Sequence, residues 1–183
     1  MEIAPAYKAY FQDTKNLIFD FGGVIIDIDY HHTLDGFRKL GFVNVEEAFN
    51  QLSQKPLFDL FETGKISAEK FFTSLKSFFP GIKPNTVDLM HAWNAMLGEF
   101  PEENNRLLHK LKKSYRTFML SNTNETHINY YYKKLKRWYN IETMGGFFEK
   151  VYFSSQVGLR KPDEEVFHYV LRDSGLRADE TLF

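Results

Sequence analysis

Residues Asn16-Leu-Ile-Phe-Asp20 form a short apolar run that ends on a carboxylate and passes at once into Gly22-Gly23. The run is too short for a helix with a buried face and suits a strand buried inside a sheet. The glycines let the chain turn as it leaves that sheet. A carboxylate at this point lies at the carboxyl edge of the strand, where open α/β sheets collect their ligands. Two later segments have the same form. A strand expected over Arg116 to Leu120 runs into Ser121-Asn122, and a strand at Val151-Tyr-Phe153 precedes Arg160-Lys161. Three polar groups are thereby expected on one edge of one sheet.

Helices are expected between these strands. Pro101-Glu-Glu103 opens one with the apolar stripe Leu107, Leu108 and Leu111, its acids at the positive end of the helix dipole. Ser121-Asn-Thr-Asn124 offers an N-cap for a second, which carries Ile128, Tyr131, Tyr132 and Leu135. Pro162-Asp-Glu-Glu165 opens a third with Val166, Phe167 and Val170, closed by Gly175. Alternating strands and helices imply a parallel sheet with right-handed crossovers. From Asp29 to Gly98 the pattern is helical alone. Leu34, Phe37 and Leu40 recur at helical spacing; Pro56 to Gly64 frames Leu57, Leu60 and Phe61; Ser67 caps a helix with Phe71, Phe72 and Leu75; and Asn85 caps one expected to end at Gly98. The expected fold is α/β, a Rossmann-like parallel sheet core over residues 1–28 and 99–183 with an inserted all-helical cap over 29–98. Another strand is expected to begin at Glu180-Thr-Leu-Phe183, so the C-terminal part of the core is expected to lie beyond Phe183.

Charge and composition remove several functions. The 23 basic and 24 acidic side chains give a formal net charge of -1, which leaves no summed field for nucleic acid. Without cysteine there is no disulfide, thiolate nucleophile or cysteine zinc site, and a reducing compartment is suited. No apolar run approaches the roughly 20 residues that span a bilayer, and Met1 to Asp13 lacks a signal-peptide core. A cytoplasmic protein with no membrane partner is expected. His31-His32 reads as a solvated pair at a helix start. Asp20-Phe-Gly22 matches a kinase metal-binding triplet, but the residues before it cannot hold a kinase's glycine-rich and catalytic loops.

In order and spacing the segments resemble the haloacid dehalogenase-like hydrolase superfamily. Asn16-Leu-Ile-Phe-Asp-Phe-Gly-Gly-Val-Ile25 is similar to its first motif, Phe118-Met-Leu-Ser-Asn-Thr123 to its second and Ser155-Gln-Val-Gly-Leu-Arg-Lys-Pro162 to its third. The cap phrase Phe61-Glu-Thr-Gly-Lys-Ile-Ser67 and the pair Trp93-Asn94 resemble the branch containing sugar-phosphate phosphatases such as glucose-1-phosphate phosphatase. The resemblance implies a phosphatase for small phosphorylated metabolites, with Asp20 as nucleophile, Lys161 neutralising charge, Ser121 and Asn122 binding phosphate or substrate, and Mg2+ held by Asp20 and the Gly22 carbonyl. Glu62, Lys65, Trp93 and Asn94 are candidate substrate-selecting residues of the cap.

The chemistry gives these roles a reason. A carboxylate attacking phosphorus divides a hard hydrolysis into two displacements through an aspartyl-phosphate. Anion attacking anion requires a cation and an ammonium nearby. Hydroxyls and free amides at a helix start accept phosphoryl oxygens. Magnesium takes oxygen ligands and keeps several waters. Two features depart from the family pattern. Most phosphatases of the superfamily carry a second aspartate two residues after the nucleophile, where this chain has Gly22, and the acidic fourth motif is expected only past Phe183. Gly22 keeps open a 2-haloacid dehalogenase, whose halide leaves without a proton or a metal. The missing motif keeps open a non-catalytic binding or regulatory role, or an inactive truncated chain. Oligomeric state is not legible.

Overall fold

A computed structural model describes residues 11–53, 56–77, 79 and 81–183. Most of the stretch expected to lack a signal-peptide core, Met1 to Asp13, lies outside the described residues. Among the described residues four parallel strands form one sheet: β1 (Asn16–Phe19), β2 (Arg116–Ser121), β3 (Lys150–Phe153) and β4 (Thr181–Leu182), in the order β3-β2-β1-β4. Phe19 of β1 is in register with Met119 of β2, and Ser121 of β2 with Phe153 of β3. The expected strand at Glu180 is β4, which lies beside β1 in register Asn16 to Thr181. Buried Asn16 pins it there, donating from Nδ2 to Thr181 Oγ1 at 3.1 Å.

The period of two in the strands separates two apolar layers. Ile18, Phe118, Leu120 and Tyr152 point to one face and meet Val166 and Val170 of helix α9 (Glu164–Ser174). Met119 and Phe148 join the other layer, over which α6 (Glu102–Leu111) and α7 (Glu125–Tyr139) pack Leu108, Tyr131 and Leu135. A one-turn helix, α8 (Ser154–Val157), follows β3 directly.

Between β1 and α6 the described residues form five helices: α1 (Tyr30–Lys39), α2 (Val45–Ser53), α3 (Leu57–Glu62), α4 (Ala68–Ser77) and α5 (Thr86–Asn94). Asp29, Ser67 and Asn85 cap three of them, accepting from His31 N–H, Lys70 N–H and Asp88 N–H respectively. Aromatic rings fill the space between them. Phe61 and Phe71 stack at 4.2 Å between ring centres, Phe58 meets Phe71 at 5.6 Å, and Trp93 meets Phe71 at 5.0 Å. Helices α1 and α5 cross closely because Gly36 faces Ala92; a Cβ on Gly36 would lie 2.9 Å from the Ala92 Cα.

The segments leading into and out of these helices run antiparallel. Asp27 N–H donates to Glu99 O, Gly98 N–H to Asp27 O, and Asp29 N–H to Met96 O, at 2.8–3.0 Å. Lys134 of α7, its side chain 8% exposed, clamps the return segment by donating to the Leu97 and Gly98 carbonyls. Gly98 does not end α5, which stops at Asn94. Its lack of a side chain serves this ladder instead, since a Cβ there would sit 2.8 Å from the Asp27 carbonyl oxygen.

The helical layer also touches the sheet layer at Gly64, where φ is +69° and a Cβ would fall 2.1 Å from the Ser155 carbonyl oxygen. Gly64→Ala should lower stability by about 1–3 kcal/mol through overpacking, with added strain from the left-handed backbone. Urea denaturation checks this, and an unchanged midpoint would mean that the two layers do not meet there.

Candidate active site

Asp20 is the first residue past β1, and its position follows from the turn that begins there. Ile25 and Ile26 N–H donate to the Phe21 carbonyl and Gly23 N–H to the Ile26 carbonyl, folding residues 21–26 back onto the end of the strand. Asp20 Oδ1 accepts from Phe21 N–H at 2.7 Å and forms an ion pair with Lys161 Nζ at 2.8 Å. Lys161 Nζ also donates to the Leu120 carbonyl at 2.9 Å and lies over the Phe183 ring. Its side chain is 13% exposed and that of Asp20 38%. One ammonium therefore joins the ends of β1 and β2.

Lys161 is itself held by Asn122. The Asn122 amide accepts from Lys161 N–H at 2.9 Å and donates to the Lys161 carbonyl at 2.8 Å, the pairing a neighbouring strand would offer. Ser154 fixes the other side of this loop, accepting from Thr123 N–H at 2.9 Å and donating to the Thr123 carbonyl at 3.1 Å. Asn124 caps α7 through His127 N–H. Two of the amides expected to greet an anion are thus used internally. The Ser121 hydroxyl has no partner among the described residues.

These groups line a cavity of about 690 Å³ that the helical layer roofs. Asp20, Gly22, Ser121, Asn122, Arg160 and Lys161 come from the sheet side; Leu34, Phe49, Phe58, Glu62 and Trp93 from the helices, and Met96 from the segment that follows α5. Of the four cap candidates the structure brings in Glu62 and Trp93 and leaves out Lys65 and Asn94. Lys65 sits exposed in the turn after α3, its N–H bonded to the Leu60 carbonyl. Asn94 is buried but follows Trp93 on a helix, and adjacent helical residues do not share a face. His31 and His32 are exposed at the start of α1, and among the described residues no group of three or more His, Asp or Glu side chains is arranged to hold a metal.

Arg160 ties the two layers together at the cavity wall. It pairs with Asp59 through Nη1 and approaches Glu62 Oε2 at 3.1 Å through Nη2. That approach is too poorly aligned for a hydrogen bond, and Glu62 Oε2 has no hydrogen-bond partner among the described residues. Burial raises the Glu62 pKa above the ordinary carboxylate value.

His127 was not singled out from the sequence. It sits three residues after the α7 cap, stacks on Trp93 with ring centres 5.3 Å apart, and lines the cavity. Asn124 Oδ1 accepts from His127 N–H and from Thr126 Oγ1, so its Nδ2 is the donor to His127 Nδ1. The ring hydrogen therefore resides on Nε2. The legible signal was the Asn124-x-x-His127 spacing, which turns the side chain back to its cap.

Residues 14–183 match the haloacid dehalogenase-like hydrolase family. D-ribitol-5-phosphate phosphatase from Bacteroides thetaiotaomicron is 34% identical over 174 residues, which cover 92% of this chain and 81% of that protein. A HAD family enzyme from Bacteroides thetaiotaomicron, solved in complex with magnesium and inorganic phosphate, is 32% identical with a TM-score of 0.82 over 92% of this chain and 82% of that one. A HAD-like family hydrolase from Porphyromonas gingivalis is likewise 32% identical, with a TM-score of 0.79 over 93% and 80%. The chain belongs to the haloacid dehalogenase-like hydrolases.

Burial lowers the His127 pKa from 6.5 to about 4. The unfolded chain takes up this proton as pH falls through 6.5, whereas the folded chain resists until about 4. The stability involved is complete above pH 6.5 and is lost between 6.5 and 4, by up to about 3 kcal/mol. His127→Gln should flatten this part of the pH profile. Urea unfolding of both proteins at about pH 7.5 and about pH 5 checks it.

Proposed function

We propose that the chain is a magnesium-dependent phosphatase of small phosphomonoesters of the sugar- or polyol-phosphate kind, acting in the cytoplasm. The observation that carries this is the Asp20–Lys161 ion pair at the base of a cavity with apolar walls, beside the unpartnered Ser121 hydroxyl. The 34% identity to a D-ribitol-5-phosphate phosphatase supports the substrate class. The division into a core (1–28 and 99–183) and a cap (29–98) belongs to the same proposal, and the ladder of Asp27 and Asp29 with Met96 to Glu99 supports it. No helix among the described residues is long and apolar enough to cross a membrane.

In the proposed reaction an Asp20 oxygen attacks phosphorus and forms an aspartyl-phosphate, and water then releases phosphate. Lys161, held by Asn122 and the Leu120 carbonyl, needs no rearrangement to neutralise the phosphoryl oxygens, which is the preorganisation that makes such a charge effective. Ser121 donates its hydroxyl to one of those oxygens. The apolar roof of Phe49, Phe58, Trp93 and Met96 excludes water and strengthens each of these interactions.

The residues present suit a magnesium ion. Asp20 commits Oδ1 to Lys161 and Phe21 N–H but leaves Oδ2 without a partner, and no hydrogen bond among the described residues ends on the Gly22 carbonyl. Both are the hard oxygens magnesium prefers, with waters completing its shell. When bound, the ion would offset negative charge on the phosphate. One observation favours a second reading: position 22 presents no acid beside Asp20, which suits attack on carbon with halide as the leaving group.

Asp20→Asn should abolish phosphate release from sugar phosphates while leaving the circular dichroism spectrum unchanged; retained turnover would sink the covalent mechanism. Lys161→Ala should weaken inorganic phosphate binding by at least about tenfold, the loss of a charge-assisted contact, as read by calorimetry. Asp20-dependent halide release without magnesium would favour the dehalogenase.

A further inference from the structure

An alkoxide leaving group must receive a proton, and the water that later attacks the aspartyl-phosphate must lose one. Position 22 cannot serve. It is glycine, and even a Cβ there would meet Ile28 Cγ1 at 3.1 Å and Cδ1 at 3.2 Å, so the space beside Asp20 is filled by an apolar side chain. Among the described residues only two carboxyl groups line the cavity, Asp20 and Glu62. His127 is a poor acid here, because burial keeps its ring neutral, so giving up its one hydrogen would leave an imidazolate stacked against Trp93.

We propose that Glu62, delivered by the helical roof, is the general acid and base of the reaction. This deepens the phosphatase reading and rests on it. Three observations place the carboxyl. Arg160, adjacent in sequence to Lys161, draws Glu62 Oε2 to within 3.1 Å and so ties α3 to the phosphate end of the cavity. Asp59 takes the other arm of the same guanidinium, so Arg160 does not hold Glu62 as its sole counter-ion. Oε2 is buried against Arg160 with no hydrogen bond among the described residues, while the side chain keeps 23% of its surface exposed and lines the cavity, so the rest of the carboxyl is left to meet an ester oxygen or water. Burial raising its pKa is in keeping with this role.

The protons balance. As Asp20 forms its bond to phosphorus and the phosphorus–alkoxide bond breaks, the Glu62 carboxylic acid gives its proton to the departing oxygen. As water attacks the aspartyl-phosphate, the Glu62 carboxylate takes the water's proton, the bond from phosphorus to the Asp20 oxygen breaks, and both carboxyl groups return to their starting states.

The test is Glu62→Gln, which keeps the shape of the side chain and loses the transferable proton. It is compared with wild type on a polyol 5-phosphate, whose leaving group needs a proton, and on p-nitrophenyl phosphate, whose leaving group does not. The expected result is a fall of about 10²–10⁴ in single-turnover rate on the polyol ester, with the first-turnover burst of nitrophenolate unchanged and the following steady state slowed. Unchanged rates on both esters, or an equal loss of the first turnover on both, would overturn the assignment. The nitrophenolate burst also reports that the variant is folded. If wild type releases phosphate from neither ester, or if Asp20→Asn matches it, the phosphatase reading itself fails and this inference fails with it.

Discussion

The ammonium of Lys161 is the point on which the site closes. It reaches the Asp20 carboxylate and the Leu120 carbonyl together, so one cation ties the carboxyl ends of two neighbouring parallel strands. Parallel strands need long crossovers, and nothing in those crossovers sets how their far ends meet. Here that is done by polar contacts at the edge itself: Lys161 to β1 and β2, Asn122 to the Lys161 backbone, and Ser154 to Thr123. The loop after β3 is thereby built on the loop after β2. A half-buried ion pair of this kind is weak as a source of stability, because desolvation of Lys161 and solvent screening at Asp20 both oppose its attraction. It is strong as a device of position, because a lone Asp20 or Lys161 there would have no compensating charge.

Gly22 shows how the same edge both makes a site and limits it. The turn that carries Asp20 out of the sheet folds residues 21–26 back so tightly that Ile28 packs where a side chain at position 22 would project. The sheet edge therefore supplies an anionic nucleophile and a cation, and the proton donor proposed for the leaving group has to come from the roof. Arg160 provides for this, since it pairs with Asp59 and Glu62 of α3 and stands next to Lys161 in the chain.

Much of the fold was legible because its signals are local. The β1 run and its glycine turn, the caps at Ser67, Asn85 and Asn124, and the left-handed closure at Gly175 each depend on a few adjacent residues. Gly98 misled because a glycine after a helical pattern reads as a terminator, whereas its role is set by Asp27, which is far away in sequence. In the site, Asp20, Ser121, Asn122 and Lys161 were legible from strand ends. Asn122 nonetheless proves to hold Lys161, a pairing that no spacing encodes. Lys65 and Asn94 were proposed with Glu62 and Trp93 from the resemblance of the cap segments; Lys65 falls in the turn past α3, and Asn94 follows Trp93 on a helix, where adjacent residues face apart. His127 carried no local signal beyond its spacing from Asn124, since its significance comes from Trp93 on another helix.

Magnitudes decide what keeps the roof on. Arg160 with Asp59 and Glu62 is one polar link, beside the Ala68 N–H bond to Glu125, but Asp59 is 63% exposed, and a pair of that kind contributes about 0–1 kcal/mol. The apolar link is larger. Phe21, Ile26 and Met119 on the sheet side belong to one continuous cluster with Phe61, Phe71 and Trp93 of the helices, and each such side chain is worth about 1.5–3 kcal/mol when fully buried. Separating the layers would expose part of this cluster, including the Trp93–His127 stack, so apolar contact dominates the closed arrangement. The ion pairs then act on orientation, because apolar contact is non-directional and cannot by itself choose which carboxyl faces the phosphate end. Division of labour of this kind allows the roof to vary its cavity-facing side chains while the Arg160 contact preserves the placement of Glu62.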